Sequence, residues 1–239
     1  MRKINLIFER DYENLKKSDQ STRLAQNKFY WAASLPSQKH ELTVMQELKG
    51  KVVLEIGCSD GTAAERYSAS FKKYVGIDIS DVGIELAKSR RLKNADFICT
   101  DAHKLPFENQ AFDVVVVTAL LHHLDIPTAL EEIHRVLRVG GVFLFLEPLG
   151  INPIFNLYRA QTPEARTVDE RALSLRDINL IRQRFEIEKS MYFGLFSLVS
   201  AFVRIESVRK ALTSFDGLVL RGPLKFFAWQ FCGVGRKVI

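Results

Sequence analysis

The stretch Val52-Val53-Leu54-Glu55-Ile56-Gly57-Cys58-Ser59-Asp60-Gly61-Thr62-Ala63-Ala64 decides the fold of this 239-residue chain. Its first five residues are mostly apolar and include three β-branched side chains, which predicts a buried strand. Two glycines four positions apart follow, and then the start of a helix. Gly57 lets the backbone turn sharply and leaves room for a ligand near main-chain atoms, while Gly61 lets the chain enter the helix in close packing. The stretch therefore predicts the strand–loop–helix unit of a ligand-binding α/β domain.

Apolar runs and amphipathic segments alternate after this unit. Strands are predicted at Val52–Ile56, Tyr74–Asp78, Ala95–Cys99, Phe112–Thr118 and Val142–Leu146, and helices at Ala63–Ser70, Gly83–Ser89 and Thr128–Leu137. This alternation predicts parallel strands with helices on both faces of the sheet. Farther on, a helix is predicted at Leu175–Gln183 and a strand at Phe185–Phe193. Residues 195–223 are helix-like, and residues 224–238 alternate as one or two final strands would.

Composition and charge limit the classes of protein to which the chain can belong. Hydrophobic residues make up 47% and charged residues 26%, the ordinary mixture of a globular domain with material for a core. The net charge is +6, and the excess lies after residue 150, where 14 lysines and arginines face 8 acidic residues. Cys58, Cys99 and Cys232 have no spacing typical of a disulfide framework or a zinc site. Without an apolar leader or a bilayer-length apolar run, we expect a cytoplasmic protein.

Side chains suited to a nucleoside follow successive predicted strands. Asp78 ends the second strand, 21 residues after Gly57, where a carboxylate can accept hydrogen bonds from ribose hydroxyls. Asp101-Ala102 closes the third strand, and Arg138-Val139-Gly140-Gly141 forms the turn into the fifth. Ser59 stands where a G-x-G-x-x-G motif needs its middle glycine, which disfavours a nicotinamide dinucleotide site.

In this order, the motifs of residues 51–148 resemble those of class I S-adenosylmethionine-dependent methyltransferases. The resemblance rests on Glu55-Ile56-Gly57-Cys58-Ser59-Asp60-Gly61, Asp78, Asp101-Ala102 and the turn at 138–141, and it departs at Ser59 and Val139, where the family often has glycine and proline. It implies an α/β fold with a Rossmann-like, doubly wound, seven-stranded sheet. That sheet would be mostly parallel, with an antiparallel last strand and helices on both faces.

The resemblance also implies a cofactor site for S-adenosylmethionine, with no metal required. The residues that would bind the cofactor are Glu55, Gly57, Cys58, Gly61, Asp78, Ile79, Asp101, Ala102 and Thr118. Glu55 would both support the glycine loop and lie near the methionine amino group, and Asp101-Ala102 would contact the adenine edge. We interpret Cys58 as a small residue in a tight loop and not as a nucleophile, since no basic partner is adjacent in sequence.

Two histidines follow the fourth predicted strand, at the edge of the sheet that would face the reactive end of the cofactor. His123 is the candidate general base for an acceptor hydroxyl, because the ordinary pKa of histidine lies near working pH. The alternative is that His123 only lines the pocket, which is also our interpretation of His122. Glu147, at the end of the fifth strand, is a further candidate for the acceptor pocket.

We expect one methyltransferase domain over residues 1–239. It would comprise an N-terminal helical cap (1–48), the cofactor-binding core (51–148), a substrate lid (149–173) and a C-terminal part that completes the sheet (174–239). The predicted reaction is methyl transfer to an oxygen or activated carbon of a small molecule. An apolar or lipid-like molecule is one acceptor that this prediction includes. The protein would mainly align donor and acceptor and exclude water.

Two other functions stay open at the level of sequence. One is an RNA methyltransferase that uses the basic C-terminal third, and the other is a non-catalytic module that holds the cofactor. Base methylation is disfavoured because Asn152-Pro153-Ile154-Phe155 is misplaced for an amino-methylating motif and lacks its second proline. An apolar C-terminal face ringed by Arg204, Arg209, Lys210 and Arg221 also suggests peripheral contact with a membrane surface. The sequence predicts no oligomeric state.

Overall fold

The computed structural model describes residues 43–44, 46–161, 171–203 and 205–238. These residues form one seven-stranded sheet with the strand order β3-β2-β1-β4-β5-β7-β6. The strands β1 to β5 pair in parallel, and β7 pairs antiparallel with both β5 and β6. The predicted sheet, with its antiparallel last strand, is therefore confirmed.

The bounds of the first four strands agree within one residue with the sequence prediction, whereas the predicted turn at 138–141 lies inside the fifth strand. The strands are β1 (Val52–Ile56), β2 (Lys73–Asp78), β3 (Ala95–Cys99), β4 (Phe112–Thr118), β5 (Leu137–Pro148), β6 (Glu186–Phe193) and β7 (Gln230–Arg236). The α-helices are α1 (Thr62–Arg66), α2 (Asp81–Ser89), α3 (Ile126–Val136), α4 (Pro153–Gln161), α5 (Leu175–Arg184) and α6 (Glu206–Val219). Short 3-10 helices cover Leu121–His123, Ser197–Phe202 and Pro223–Phe227.

Buried side chains form a core on each face of the sheet. Leu54 and Ile56 of β1 belong to the core that includes residues of α3 and α5, while Val53 belongs to the core that includes residues of α1 and α2. Successive residues of a strand point to opposite faces, so a strand with helices on both sides is mostly apolar. This explains the largely apolar character of β1 and β4, which are neighbours inside the sheet.

Side-chain caps define where two of the helices begin. The Ser80 hydroxyl accepts a hydrogen bond from Gly83 N at the start of α2. Asp125 caps α3, and its carboxylate accepts from Thr128 N. These side chains satisfy amide groups that have no partner inside the helix. Both caps directly follow the loops at the carboxyl ends of β2 and β4, so they fix the positions of those loops.

Three segments differ from the sequence prediction. The connection after Pro148 contains helix α4, and in its first turn Phe155 N donates a hydrogen bond to Oδ1 of Asn152. Residues 195–223 divide into a 3-10 helix and α6, and β5 begins five residues earlier than expected, at Leu137. The N-terminal cap lies mostly outside the described residues, as do residues 162–170 of the expected lid.

Candidate functional site

The loops at the carboxyl ends of β1 to β4 meet at one edge of the sheet. The strand order reverses between β1 and β4, which are neighbours although β2 and β3 intervene in sequence. In open α/β sheets such a reversal opens a crevice in which ligands bind. The structure brings together here the glycine loop, Asp78, Asp101 and Thr118, which are four of the elements predicted from sequence.

Backbone conformation explains both glycines of the loop. Gly57 has φ +84° and Gly61 has φ +75°, and both values favour glycine. A Cβ at Gly57 would lie 2.9 Å from Cδ2 of Leu120, and one at Gly61 would lie 3.2 Å from Cα of Ala87 in α2. Gly61 therefore allows the close helix packing that the sequence predicts.

Asp78 joins the end of β2 to the glycine loop. One carboxylate oxygen accepts a hydrogen bond from Ser59 N at 2.8 Å, and the other accepts from Ser80 N at 2.9 Å. A carboxylate has about four acceptor positions, so Asp78 can hold the loop and still accept from a ribose. The partly buried side chain thus fits the predicted ribose site.

Arg90 is a support of the loop that the sequence analysis missed. Its guanidinium donates to the Asp60 carbonyl at 2.6 Å, to the Asp60 carboxylate at 2.6 Å and to the Thr62 hydroxyl at 2.8 Å. Burial raises the pKa of Asp60, but hydrogen bonds from Thr62 and Arg90 outweigh this effect and keep the pKa lowered. No sequence motif identifies Arg90, because it lies 30 residues from Asp60.

Glu55 lies in the core and not at the open edge. Its side chain is buried, and the Tyr74 hydroxyl donates a hydrogen bond to it. Burial raises the pKa of Glu55 to about 7, although the Tyr74 hydrogen bond opposes the rise. This contact joins Glu55 to the neighbouring strand β2, to which Tyr74 belongs. Support of the glycine loop by Glu55 and its proximity to the methionine amino group stay predictions.

The Asp101-Ala102 pair is held by a histidine. Asp101 accepts from the backbone N of His103 at 2.9 Å, and its Oδ1 lies 2.7 Å from Nδ1 of that ring. The hydrogen bonds from His103 lower the pKa of Asp101. Nε2 of His103 accepts from Asp125 N at 2.9 Å, which links this loop to the start of α3. Ala102 is buried beneath it.

A buried carboxylate holds the loop after β4. Glu147 is fully buried, and its Oε1 accepts from Leu120 N at 2.9 Å and from Leu121 N at 2.8 Å. Its Oε2 lies 2.7 Å from Nδ1 of His122. Because a carboxylate oxygen accepts, Nδ1 of His122 carries the hydrogen, and Nε2 is the basic nitrogen of the neutral ring. His122, like His103, therefore has a carboxylate partner, and the sequence analysis did not give it this role.

The remaining predicted residues lie around this edge. The ring of His123 is partly buried and lies 4.2 Å from that of His122, centroid to centroid. Thr118 is exposed at the end of β4, Ile79 is half-buried after β2, and Cys58 is buried within the loop. Among the described residues, no group of three or more His, Cys, Asp or Glu side chains is placed to hold a metal ion.

The arrangement suits a nucleoside-containing cofactor. Partly exposed carboxylates at Asp78 and Asp101 can accept hydrogen bonds. Below these carboxylates the backbone turns away at Gly57, which has a positive φ.

The Asn152 side chain, by contrast, has a structural role, because it donates to the Phe227 carbonyl and caps α4. No helix in the described ranges combines the length and the apolar character needed to span a membrane.

Comparisons with known sequences agree with this geometry. A family model described as a methyltransferase domain matches residues 54–145. The phthiotriol/phenolphthiotriol dimycocerosates methyltransferase of Mycobacterium tuberculosis is 35% identical over 144 residues, which cover 59% of this chain and 52% of that protein. The fatty-acid O-methyltransferase of Mycolicibacterium smegmatis is 31% identical over 173 residues, which cover 70% of this chain and 59% of that protein. The chain spans about half the length of the phthiotriol relatives.

Solved structures show the same architecture. The N-methyltransferase NodS from Bradyrhizobium japonicum, in complex with S-adenosyl-L-homocysteine, superposes with a TM-score of 0.63. The superposition covers 98% of this chain and 98% of NodS, at 17% sequence identity. At that identity the likeness concerns the fold alone.

Proposed function

Residues 54–145 belong to the class I S-adenosylmethionine-dependent methyltransferases, and from that premise we propose that the chain methylates a small, lipid-like acceptor. The observation that carries the proposal is the edge formed by the glycine loop, Asp78 and Asp101, with the Glu147–His122 pair at the neighbouring strand ends. One part can bind a nucleoside and the other can accept a proton.

Asp78 and the glycine loop would hold the cofactor in place. Asp78 would accept hydrogen bonds from the ribose, and the Asp101-Ala102 segment would contact the adenine edge. When bound, S-adenosylmethionine supplies an electrophilic methyl group. The protein then has mainly to orient the acceptor toward that methyl group and exclude water.

The Glu147–His122 pair supports an acceptor that must lose a proton. His122 donates from Nδ1 to Glu147, which orients the ring and leaves Nε2 as the nitrogen that would take the proton. His123 stays a second candidate base, since its ring lies against that of His122. A hydroxyl acceptor needs such a base at neutral pH, whereas a fatty-acid carboxylate is already ionised.

The names of the relatives support a lipid-like acceptor. One relative is named for phthiotriol dimycocerosates and another for fatty acids. A long-chain fatty alcohol and a long-chain fatty acid are therefore the first acceptors to test. A cytoplasmic location stays a prediction.

Calorimetric titration tests the cofactor part of the proposal. We expect S-adenosylmethionine and S-adenosylhomocysteine to bind and NADH not to bind. Asp78→Ala should weaken binding of both sulfur compounds tenfold or more, a loss of about 1.4 kcal/mol or more. Asp96→Ala is the matched control, because Asp96 is an exposed carboxylate on β3 whose partner is Lys73.

Binding of neither sulfur compound by the folded protein would contradict the proposal. Cofactor binding without methylation of either lipid would favour the non-catalytic module instead. Methylation of RNA, with an affinity that falls steeply with salt, would favour the RNA methyltransferase.

A further inference from the structure

Helix α6 has its polar face turned into the protein. Its buried side chains are Arg209, Thr213 and Asp216, which recur at spacings of four and three residues and so share one face. An ordinary surface helix buries an apolar stripe instead. The orientation of α6 is therefore reversed with respect to its hydrophobic pattern.

Asp216 explains this orientation. Its fully buried carboxylate accepts hydrogen bonds from the backbone N–H groups of the four residues 194–197, at distances between 2.6 and 3.2 Å. The Ser197 hydroxyl donates to the same carboxylate at 2.6 Å. This number of charge-assisted hydrogen bonds holds α6 at one angle of rotation about its own axis.

The opposite side of α6 presents apolar side chains to solvent. Val208 is 41% exposed, Phe215 47% and Leu218 66%, and Ala211 is exposed between them. Their spacings of three and four residues place them on one face of the helix, which we call the outer face. A contiguous exposed apolar patch of this kind marks an interaction surface.

Positive charge borders the outer face. Lys210, whose side chain is 69% exposed, and the exposed Arg221 follow one side of the stripe, and Lys225 lies over the ring of Phe226. Residues 205–229 contain two acidic residues, Glu206 and Asp216. Glu206 pairs with Arg209 and Lys210, and Asp216 is buried. The border therefore has a surplus of positive charge.

Arg209 lies inside the protein and does not ring the face as expected from sequence.

We propose that the outer face of α6 binds the surface of an anionic lipid bilayer. An apolar helix face with basic residues beside it suits the boundary between acyl chains and negatively charged headgroups. A second copy of the chain fits less well, because a symmetric pairing would bring the basic borders of both copies to one interface. Residues 1–42 also fit less well, because their 8 lysines and arginines exceed their 5 acidic residues.

Vesicle flotation tests this binding in the absence of cofactor and acceptor, so its outcome is independent of the methyltransferase proposal. We expect the full chain to float with vesicles of phosphatidylcholine and phosphatidylglycerol and to bind neutral phosphatidylcholine vesicles at least fivefold more weakly. Phe215→Gln/Leu218→Gln should lower binding to the anionic vesicles at least fivefold. Leu86→Gln is the control, since Leu86 is 43% exposed on α2.

A fluorescent label distinguishes a bilayer from the other occupants. Cys99 is the exposed cysteine of the described residues, so Ala211→Cys, at an exposed position of the outer face, is made together with Cys99→Ser and labelled with a polarity-sensitive dye. Emission of the free monomer should be that of a dye in water, and it should shift to the blue when anionic vesicles are added. Leu86→Cys in the same background should show no shift.

Three results would overturn the proposal. One is equal binding of the wild type and Phe215→Gln/Leu218→Gln to anionic vesicles, or no binding by either. Another is a blue-shifted dye in the free monomer, which would mean that part of the chain itself covers the face. The third is a blue shift that rises with protein concentration without lipid, which would indicate a second copy. Circular dichroism of each variant confirms that it folds.

Discussion

Glu55 shows how one buried carboxyl group couples stability to pH. Its pKa in the folded protein is about 7, against 4.5 for an ordinary glutamate, chiefly because burial disfavours the charged form. Between these values the unfolded chain releases the proton while the folded protein keeps it. The contribution of Glu55 to the free energy of unfolding therefore falls as pH rises from 4.5 to about 7, and it is constant above that.

Glu55→Gln removes this titration while keeping an oxygen that can accept from Tyr74. We expect the free energy of unfolding of the variant to exceed that of the wild type increasingly as pH rises, by up to about 3 kcal/mol near pH 8. Near about pH 4 the two should differ little. Denaturant unfolding at several pH values, without cofactor, measures this difference. Tyr74→Phe should extend the wild-type decline in the free energy of unfolding to higher pH, because the Tyr74 hydrogen bond lowers the pKa of Glu55. Parallel pH profiles for wild type and Glu55→Gln would refute the assignment.

At the scale of elements, Glu147 connects strand β5 to the turn that follows β4. Three hydrogen bonds end on its carboxylate, from Leu120 N, Leu121 N and the His122 ring. In Glu147→Gln the amide oxygen can keep the two backbone donors, and the NH2 group then faces Nδ1 of His122. Either that ring N–H loses its acceptor, or the ring takes the other tautomer and Nε2 carries the hydrogen. We expect the free energy of unfolding to fall by about 1–3 kcal/mol, as for a buried donor left without an acceptor.

The same variant tests the proposed proton acceptor. With the fatty alcohol as acceptor, Glu147→Gln and His122→Asn should each lower the methylation rate about tenfold or more, since base catalysis typically contributes that much or more. The affinity for S-adenosylhomocysteine, measured by titration, should change little in either. His123→Asn is the comparison: if it alone abolishes the pH dependence of the rate, His123 is the base and His122 only positions it.

At the scale of the whole molecule, a cofactor that bridges the ends of several strands should stabilise the folded chain. Its predicted contacts come from the loops after β1, β2, β3 and β4, which exist together only in the folded state. A ligand present at about 100 times its Kd raises the free energy of unfolding by about 2.7 kcal/mol. We expect this gain with S-adenosylhomocysteine, measured by thermal or denaturant unfolding. Asp78→Ala should lose most of it, whereas an equal gain with NADH would indicate a different nucleotide.

The sequence by itself determined the strand–helix alternation of residues 51–148 and the glycine loop with Asp78, because periodicity and backbone geometry are local. The antiparallel last strand was expected only from the resemblance to the methyltransferase family. Tertiary structure alone decided the Tyr74 contact of Glu55, the support from Arg90 and the choice of His122 as partner of Glu147. Those contacts join residues 19, 30 and 25 positions apart, and no local pattern specifies them. The rotation of α6 was likewise decided by Asp216, whose backbone partners lie about 20 residues away. A hydrophobic pattern predicts that a helix is amphipathic, but only its partners decide which face is buried.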